Sequence, residues 1–273
     1  MSDIILSAGV RSNLLQLQQT SDLITQTENR LATGKKVGSA LDNANSFFTA
    51  QGLDTRANNL NNLLDSMSNG VNTIQAANNG ITSITKLVQS AQALVSQAQQ
   101  ANNTTTQAAL ATQFNNLLTQ IGQLAGDSGF NGVNLLAGNT LTVTLNESGS
   151  SSVVVTGVTY TNANASPLSI ANAANNWAGA SDIAAASTAL STALTTLQSE
   201  SQTLSSSLAM VQTRQDFTKS MISTLQSGSA NLTLADSNQE GANLLALQTR
   251  QQLSTTALSL ASQASQAVLR LFQ

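Results

Sequence analysis

The 273-residue chain carries 10 basic and 13 acidic residues for a net charge of −3, and only 8% of it is charged and 3% aromatic. Ordinary soluble domains are about 25% charged, so charges this sparse leave no basic patch for nucleic acid or an acidic membrane surface. With no Cys and no His, thiol chemistry, disulfides, imidazole catalysis and most transition-metal sites are excluded, and no cofactor is implied.

Between Met1 and Arg11 no Lys or Arg precedes Ile4, Ile5 and Leu6, and no long apolar run follows, so no secretory signal peptide is expected. No window reaches the ~18–20 apolar residues of a membrane span. From Ser2 to about Thr33, Val10, Leu14, Leu17, Ile24 and Leu31 step by fours and threes, with Ser21 and Glu28 on the same seam. That spacing predicts a heptad helix. The run Thr33-Gly-Lys-Lys-Val-Gly38 interrupts it. Gly34 suits the position just past a helix C-terminus and the lysines complement the dipole, whereas a phosphate loop lacks its preceding strand and its spacing.

The longest pattern starts near Asn45. Leu53, Ala57, Leu60, Leu64, Met67, Val71, Ile74, Ile81, Val88 and Val95 share a seam with the polar Asn78, Thr85 and Gln92. A helix from there to Gln100 is on the order of 80 Å long, and Asn78 in its seam is a candidate register setter. After a break at Asn102 to Thr106, Leu110, Phe114, Leu117, Leu118, Ile121 and Leu124 predict a helix from Gln107 to about Ala125. Gly126 to Gly132 is dense in turn residues. Leu141, Val143 and Leu145, then Val153, Val154, Val155, Val158 and Tyr160, predict a β-hairpin whose tip is the polar Asn146 to Ser152. A short helix is expected near Pro167, the sole proline.

Heptads return with Leu190, Leu194, Leu197, Leu204, Leu208, Val211, Ile222 and Leu225, ending at Gly228, and Ser229 to Ala235 is expected to be a linker. The last helix, Asp236 to Phe272, carries two apolar stripes. One runs Ala242, Ala246, Leu253, Ala257, Leu260, Ala264, Ala267, Leu271; the other runs Leu244, Leu247, Leu258, Ala261, Val268, Phe272. It therefore asks for partners on two flanks. Asp236 and Glu240 at its start complement the helix dipole rather than form an acid pair. Asp216 and Lys219 form an exposed helix pair, and Met67, Met210 and Met221 are packing residues. Two long helices separated by a turn and hairpin fold back on one another and bring the two ends of the chain together. The expected fold is mainly α: an elongated antiparallel coiled-coil bundle with a small central hairpin and paired terminal helices. Its segments are 1–44, 45–138, 139–180, 181–228 and 229–273.

These segments carry a resemblance to bacterial flagellin. Asn29-Arg-Leu-Ala-Thr-Gly-Lys-Lys-Val-Gly-Ser-Ala-Leu-Asp42, with Arg30, Leu31, Gly34 and Asp42, resembles the family's signature; Phe130-Asn131-Gly132 resembles its Phe-Asn-Gly turn. Gln251-Gln-Leu, Ala257-Leu-Ser-Leu-Ala261 and Val268-Leu-Arg-Leu-Phe272 are similar to its close. The likeness covers about 1–138 and 181–273. Asn43 stands where many members have a second Asp, and the outer domains are reduced to the hairpin.

The resemblance implies a secreted, extracellular subunit of the flagellar filament, exported unfolded by the flagellar type III apparatus with an export chaperone and polymerised with itself under a cap beyond the hook-junction proteins. The alternative is a hook-filament junction protein. The inner-tube packing residues it implies are Val10, Leu14, Leu17, Ile24, Leu31, Leu244, Leu247, Leu253, Leu258, Leu260, Val268, Leu271 and Phe272. Terminal helices with two apolar flanks find in polymerisation the covering that one subunit lacks. Gln89, Ser90, Ala93, Leu94 and Gln97 lie where many flagellins are recognised by the Toll-like receptor for flagellin. Ser90 and Ala93 replace charged residues there, so weak or no activation is expected. Ser148, Ser150, Ser151 and Ser152 are candidate O-glycosylation acceptors, with a plain solvated turn the preferred reading. Carboxylates scattered singly over helices argue against an enzyme.

Overall fold

The computed structural model describes residues 8–271. Five helices, α1 (Ala8–Thr33), α2 (Ala40–Gln100), α3 (Thr104–Asp127), α4 (Ala180–Thr233) and α5 (Ser237–Leu271), accompany an antiparallel pair of strands, β1 (Leu141–Thr144) and β2 (Ser152–Val155). Residues 57–223 form one compact unit, and residues up to 56 with those from 224 onward form another.

In the 57–223 unit the core lies along one face of α2. Leu60, Leu63, Met67, Gly70, Ile74, Ala77, Ile81, Ile84, Val88, Ala91, Val95 and Ala98 alternate steps of three and four without a break, and all are buried. The face is therefore a full heptad seam, but its second position is small or branched: Gly70, Ala77, Ala91 and Ala98 stand where leucines usually do. Leu64, Val71, Asn78, Thr85 and Gln92, expected at that second position, are only half-buried. Leu190, Leu197, Leu204 and Val211 of α4 and Leu110, Phe114, Leu118 and Ile121 of α3 are buried with them. Asn78 Oδ1 accepts from Ser201 Oγ at 2.8 Å, and Gln215 Nε2 donates to Ser68 Oγ at 3.1 Å, which sets α2 and α4 antiparallel. Met67 is buried, whereas Met210 faces solvent and is not a packing residue.

The hairpin sits on α2 through glycine. A Cβ on Gly70 would lie 2.5 Å from Val143 Cγ2, and one on Gly80 would lie 2.7 Å from Leu136 Cδ1. Strand pairing runs from Leu141 opposite Val155 to Thr144 opposite Ser152, and Val143, Val153 and Val155 form the buried face. Val158 and Tyr160 lie beyond β2; their amides donate to Leu135 O and Leu136 O. No helix starts at Pro167. The segment is a series of turns, with Ala165 N–H on Asn162 O and Ile170 N–H on Ala163 O, anchored by buried Ala163, Leu168 and Ile170. A 3-10 turn follows at Ala174–Trp177.

The other unit holds the paired ends. α1 packs along α5, and α2 begins five residues earlier than its apolar pattern, at Ala40, with non-helical backbone at Asn43. α4 does not stop at Gly228 but runs to Thr233, so the expected linker shrinks to residues 234–236. Gly228 lies inside α4 beside α2, where a Cβ would meet Leu53 Cδ1 in ordinary van der Waals contact at 3.4 Å.

Candidate functional site

α1 and α5 meet in an antiparallel seam. On α1 the covered positions are Val10, Asn13, Leu17, Thr20, Ile24, Thr27 and Leu31; on α5 they are Glu240, Leu244, Leu247, Gln251, Ser254, Leu258 and Ala261. Both series alternate threes and fours, the spacing of a coiled-coil seam. Small polar residues fit because their hydroxyls are satisfied locally: Thr20 Oγ1 donates to Gln16 O at 2.8 Å, so it presents mainly its methyl to the seam. Leu14, Ser21 and Glu28, expected in the seam, are exposed; the true partner positions lie one residue earlier. Leu253 and Leu260 are also outside it, at 67% and 62% exposure, and with Leu245 they form the outward face of α5. On α1, Leu15 points away from the seam, and Leu14 and Leu23 are exposed on its two flanks. Phe272 lies outside the described residues, as do the side chains of Val268 and Leu271.

The seam ends in a built joint. Gly34, at φ 66°, takes the left-handed conformation that closes α1. Lys36 N–H and Val37 N–H donate to Thr233 O at 2.8 and 3.2 Å, and Ala235 N–H donates to Gly34 O at 2.9 Å, so the two breaks in the helical pattern pair with one another. Lys36 Nζ reaches Asn231 O at 3.3 Å, a cation on the last carbonyls of α4. Arg30 Nη1 pairs with Glu240 Oε1 at 3.2 Å across the two terminal helices. Asp236 Oδ1 caps α5 by accepting Asn238 N–H and Gln239 N–H.

The Asp42 carboxylate accepts from Gly38 N–H, Ser39 N–H and Ser39 Oγ at 3.0, 2.9 and 3.1 Å. These bonds, the Ser39 amide foremost, hold its pKa below the ordinary value. Asn43 Oδ1 accepts from Ser46 N–H at 3.0 Å, which makes it the N-cap of the helical run that follows it in α2. An amide oxygen supplies the acceptor a carboxylate would, so Asn43 serves as the cap as an Asp would.

The remaining predicted positions lie in the 57–223 unit. Phe130 and Val133 exchange main-chain hydrogen bonds of 2.9 and 3.0 Å around Asn131 (φ 48°) and Gly132 (φ 79°), a type I′ turn. Gln89, Ser90, Ala93 and Gln97 are exposed in a row on α2, with Leu94 half-buried beside Leu117 of α3. At the hairpin tip Asn146 Nδ2 donates to Ser148 Oγ and Ser150 Oγ, the two hydroxyls lie 2.9 Å apart, and Ser151 N–H donates to Asn146 Oδ1. Ser152 opens β2 and is exposed.

Two features escaped the sequence reading. Asn134 is buried and closes α3 by donating to Ala125 O and Gly126 O, both at 2.8 Å, while its Oδ1 accepts Leu136 N–H. Asn134 lies just past the Phe130 turn, and nothing in hydrophobic spacing marks it. Glu200 on α4 is pushed above the usual carboxylate range by burial, and Tyr160 is pushed well above the usual phenol range by burial and then by Glu200.

The family model for the bacterial flagellin N-terminal helical region matches residues 8–140. Flagellin FljN of Caulobacter vibrioides is 33% identical over 275 residues, covering all of this chain and 99% of the relative. A flagellin of Brucella melitensis is 28% identical over 285 residues, covering both chains completely. A crystal structure of Bacillus cereus flagellin aligns with a TM-score of 0.47 at 20% identity, over 57% of this chain and 88% of that one.

Proposed function

The chain belongs to the flagellin family, and from that membership we propose that it polymerises through the outward faces of α1 and α5. It is a structural subunit of the extracellular bacterial flagellar filament. The full-length likeness to filament flagellins favours that role over a hook-filament junction protein.

The observation that carries the assembly reading is the division of α5 into two faces. Leu244, Leu247 and Leu258 are spent on α1, whereas Leu245, Leu253 and Leu260 stay exposed on the same helix, and Leu14, Leu15 and Leu23 stay exposed on α1. Large apolar groups repeated along one helix face mark a protein contact, and a second copy supplies a matching face. Terminal helices form the inner tube on this reading, and the long helices form the layer around it. Purified chain lacking residues 236–273 is expected not to polymerise; fibres from it would sink the reading.

The subunit is exported unfolded by the flagellar type III apparatus with a chaperone and assembles under a cap. The absence of disulfides and the marginal intrachain seam suit a chain that must open to be threaded. Gln89, Ser90, Ala93, Leu94 and Gln97 present no charge, so activation of the flagellin Toll-like receptor is weak; a reporter cell responding as strongly as to an enteric flagellin overturns this. Ser148 and Ser150 are bound into the Asn146 turn, which favours an unmodified tip over O-glycosylation at Ser148, Ser150, Ser151 and Ser152, and intact mass decides it.

A further inference from the structure

We propose that Asn131 is the chain's site of spontaneous deamidation and isoaspartate formation. The sequence contains three Asn-Gly pairs, Asn69-Gly70, Asn79-Gly80 and Asn131-Gly132. In each, the nucleophile is the backbone nitrogen of the glycine. It attacks Cγ of the preceding Asn, a C–N bond forms, ammonia leaves, and a five-membered succinimide results. Water then opens either carbonyl, giving aspartate or, with one extra carbon in the main chain, isoaspartate. The Cγ–Nδ2 bond breaks, the glycine amide proton passes by way of solvent to the departing nitrogen to complete the ammonia, and no oxidant or enzyme enters.

All three Asn side chains are exposed, so side-chain access does not separate them. The glycines do. Gly70 and Gly80 lie inside α2 and are buried, and the space beside each is filled: Val143 Cγ2 against Gly70, Ser128 and Leu136 against Gly80. Turning either amide toward Cγ means breaking a long helix at its buried face, an opening as costly as unfolding that face. Gly132 is exposed and has no atom within 4 Å of the position a Cβ would take. The turn is held by two bonds between Phe130 and Val133, and neither uses the Gly132 amide. Rotation about Asn131 thus needs only a local opening of a surface turn. A filament subunit remains outside the cell for the life of the filament, which gives a slow reaction time to accumulate.

The test is incubation of the full-length monomer in oxygen-18 water at mildly alkaline pH, folded and in denaturant, followed by peptide mapping and enzymatic methylation of isoaspartate. In denaturant all three pairs are expected to take up label. In the folded chain, heavy oxygen and isoaspartate are expected at 131, with Asn69 and Asn79 intact. Equal labelling at the three sites in the folded chain overturns the proposal, as does a folded chain unlabelled at 131 while the denatured one is labelled there.

Discussion

The Arg30 guanidinium lies 3.2 Å from the Glu240 carboxylate, joining the end of α1 to the start of α5 where the Glu240 side chain is 11% exposed and the Arg30 side chain 33%. Removing Arg30 strands a nearly buried carboxylate, which costs more than the pair itself contributes. Because Arg30 is a third exposed, solvent screening discounts the cost, and Arg30→Ala is expected to destabilise the terminal pair by about 1–3 kcal/mol. Arg30→Met with Glu240→Met is expected to recover part of it. A double-mutant cycle by urea unfolding of the monomer checks this; additive single effects would show that the pair is not coupled.

The pairing of the chain's two breaks was legible only in part. Gly34 and the lysines announced the end of α1, but that residues 34–37 would bond to 233–235 depended on partners about 200 positions away. Apolar spacing sets the phase of both seams one residue late. An apolar pattern favours Leu14 over Asn13 and Val71 over Gly70, and it does not separate Leu63 from Leu64. Burial rewards close approach as well as apolar area, and Thr20, Thr27, Ala77 and Gly70 allow the neighbour nearer than leucine would. Gly228 has the look of a helix stop in sequence, yet it lies inside α4, which runs on to Thr233.

Glycine substitutions should therefore differ in sign. Gly52 lies on the exposed part of α2 with no atom near its would-be Cβ, so Gly52→Ala is expected to stabilise by about 0.5–1 kcal/mol through helix propensity. Gly122→Ala would drive its methyl into the Thr161 carbonyl oxygen, and overpacking against backbone is expected to outweigh the propensity gain, for a net loss of about 1–2 kcal/mol. Thermal unfolding of the two variants checks the contrast; stabilisation of both would refute the close approach at Gly122.

Two carboxylates give opposite pH signs. Asp42 has a depressed folded pKa, so its contribution is present above the ordinary value of 3.8 and is lost as pH falls through the lower folded value. Asp42→Asn is expected to flatten the acid limb of joint stability, followed by amide exchange of Gly38 and Ser39. Glu200 has a folded pKa raised by burial above 4.5. Its contribution is fully present below the unfolded value and declines as pH rises through the folded one. Glu200→Gln is expected to raise the melting temperature at neutral pH and to leave it nearly unchanged at pH below 4.5. A drop at neutral pH would show that the carboxylate is favourably bound instead.

The two faces of α5 separate assembly from folding. Leu258 belongs to the α1 seam, whereas Leu253 and Leu260 hold the outward flank. Leu258→Asp is expected to loosen the α1–α5 pair, lowering helicity of the monomer as well as polymerisation, because a buried apolar contact is replaced by an unpaired charge. Leu253→Asp and Leu260→Asp are expected to leave monomer helicity unchanged, since both side chains are more than 60% exposed, yet to abolish pelleting of fibres, since each charge recurs at every subunit contact. The cost per subunit is about 2–5 kcal/mol if the leucine is buried on assembly, enough to move the critical concentration by more than tenfold. Circular dichroism of the monomer and sedimentation of seeded fibres distinguish the two classes. Normal fibres from the Leu253→Asp and Leu260→Asp variants would remove the outward face of α5 from the assembly contact.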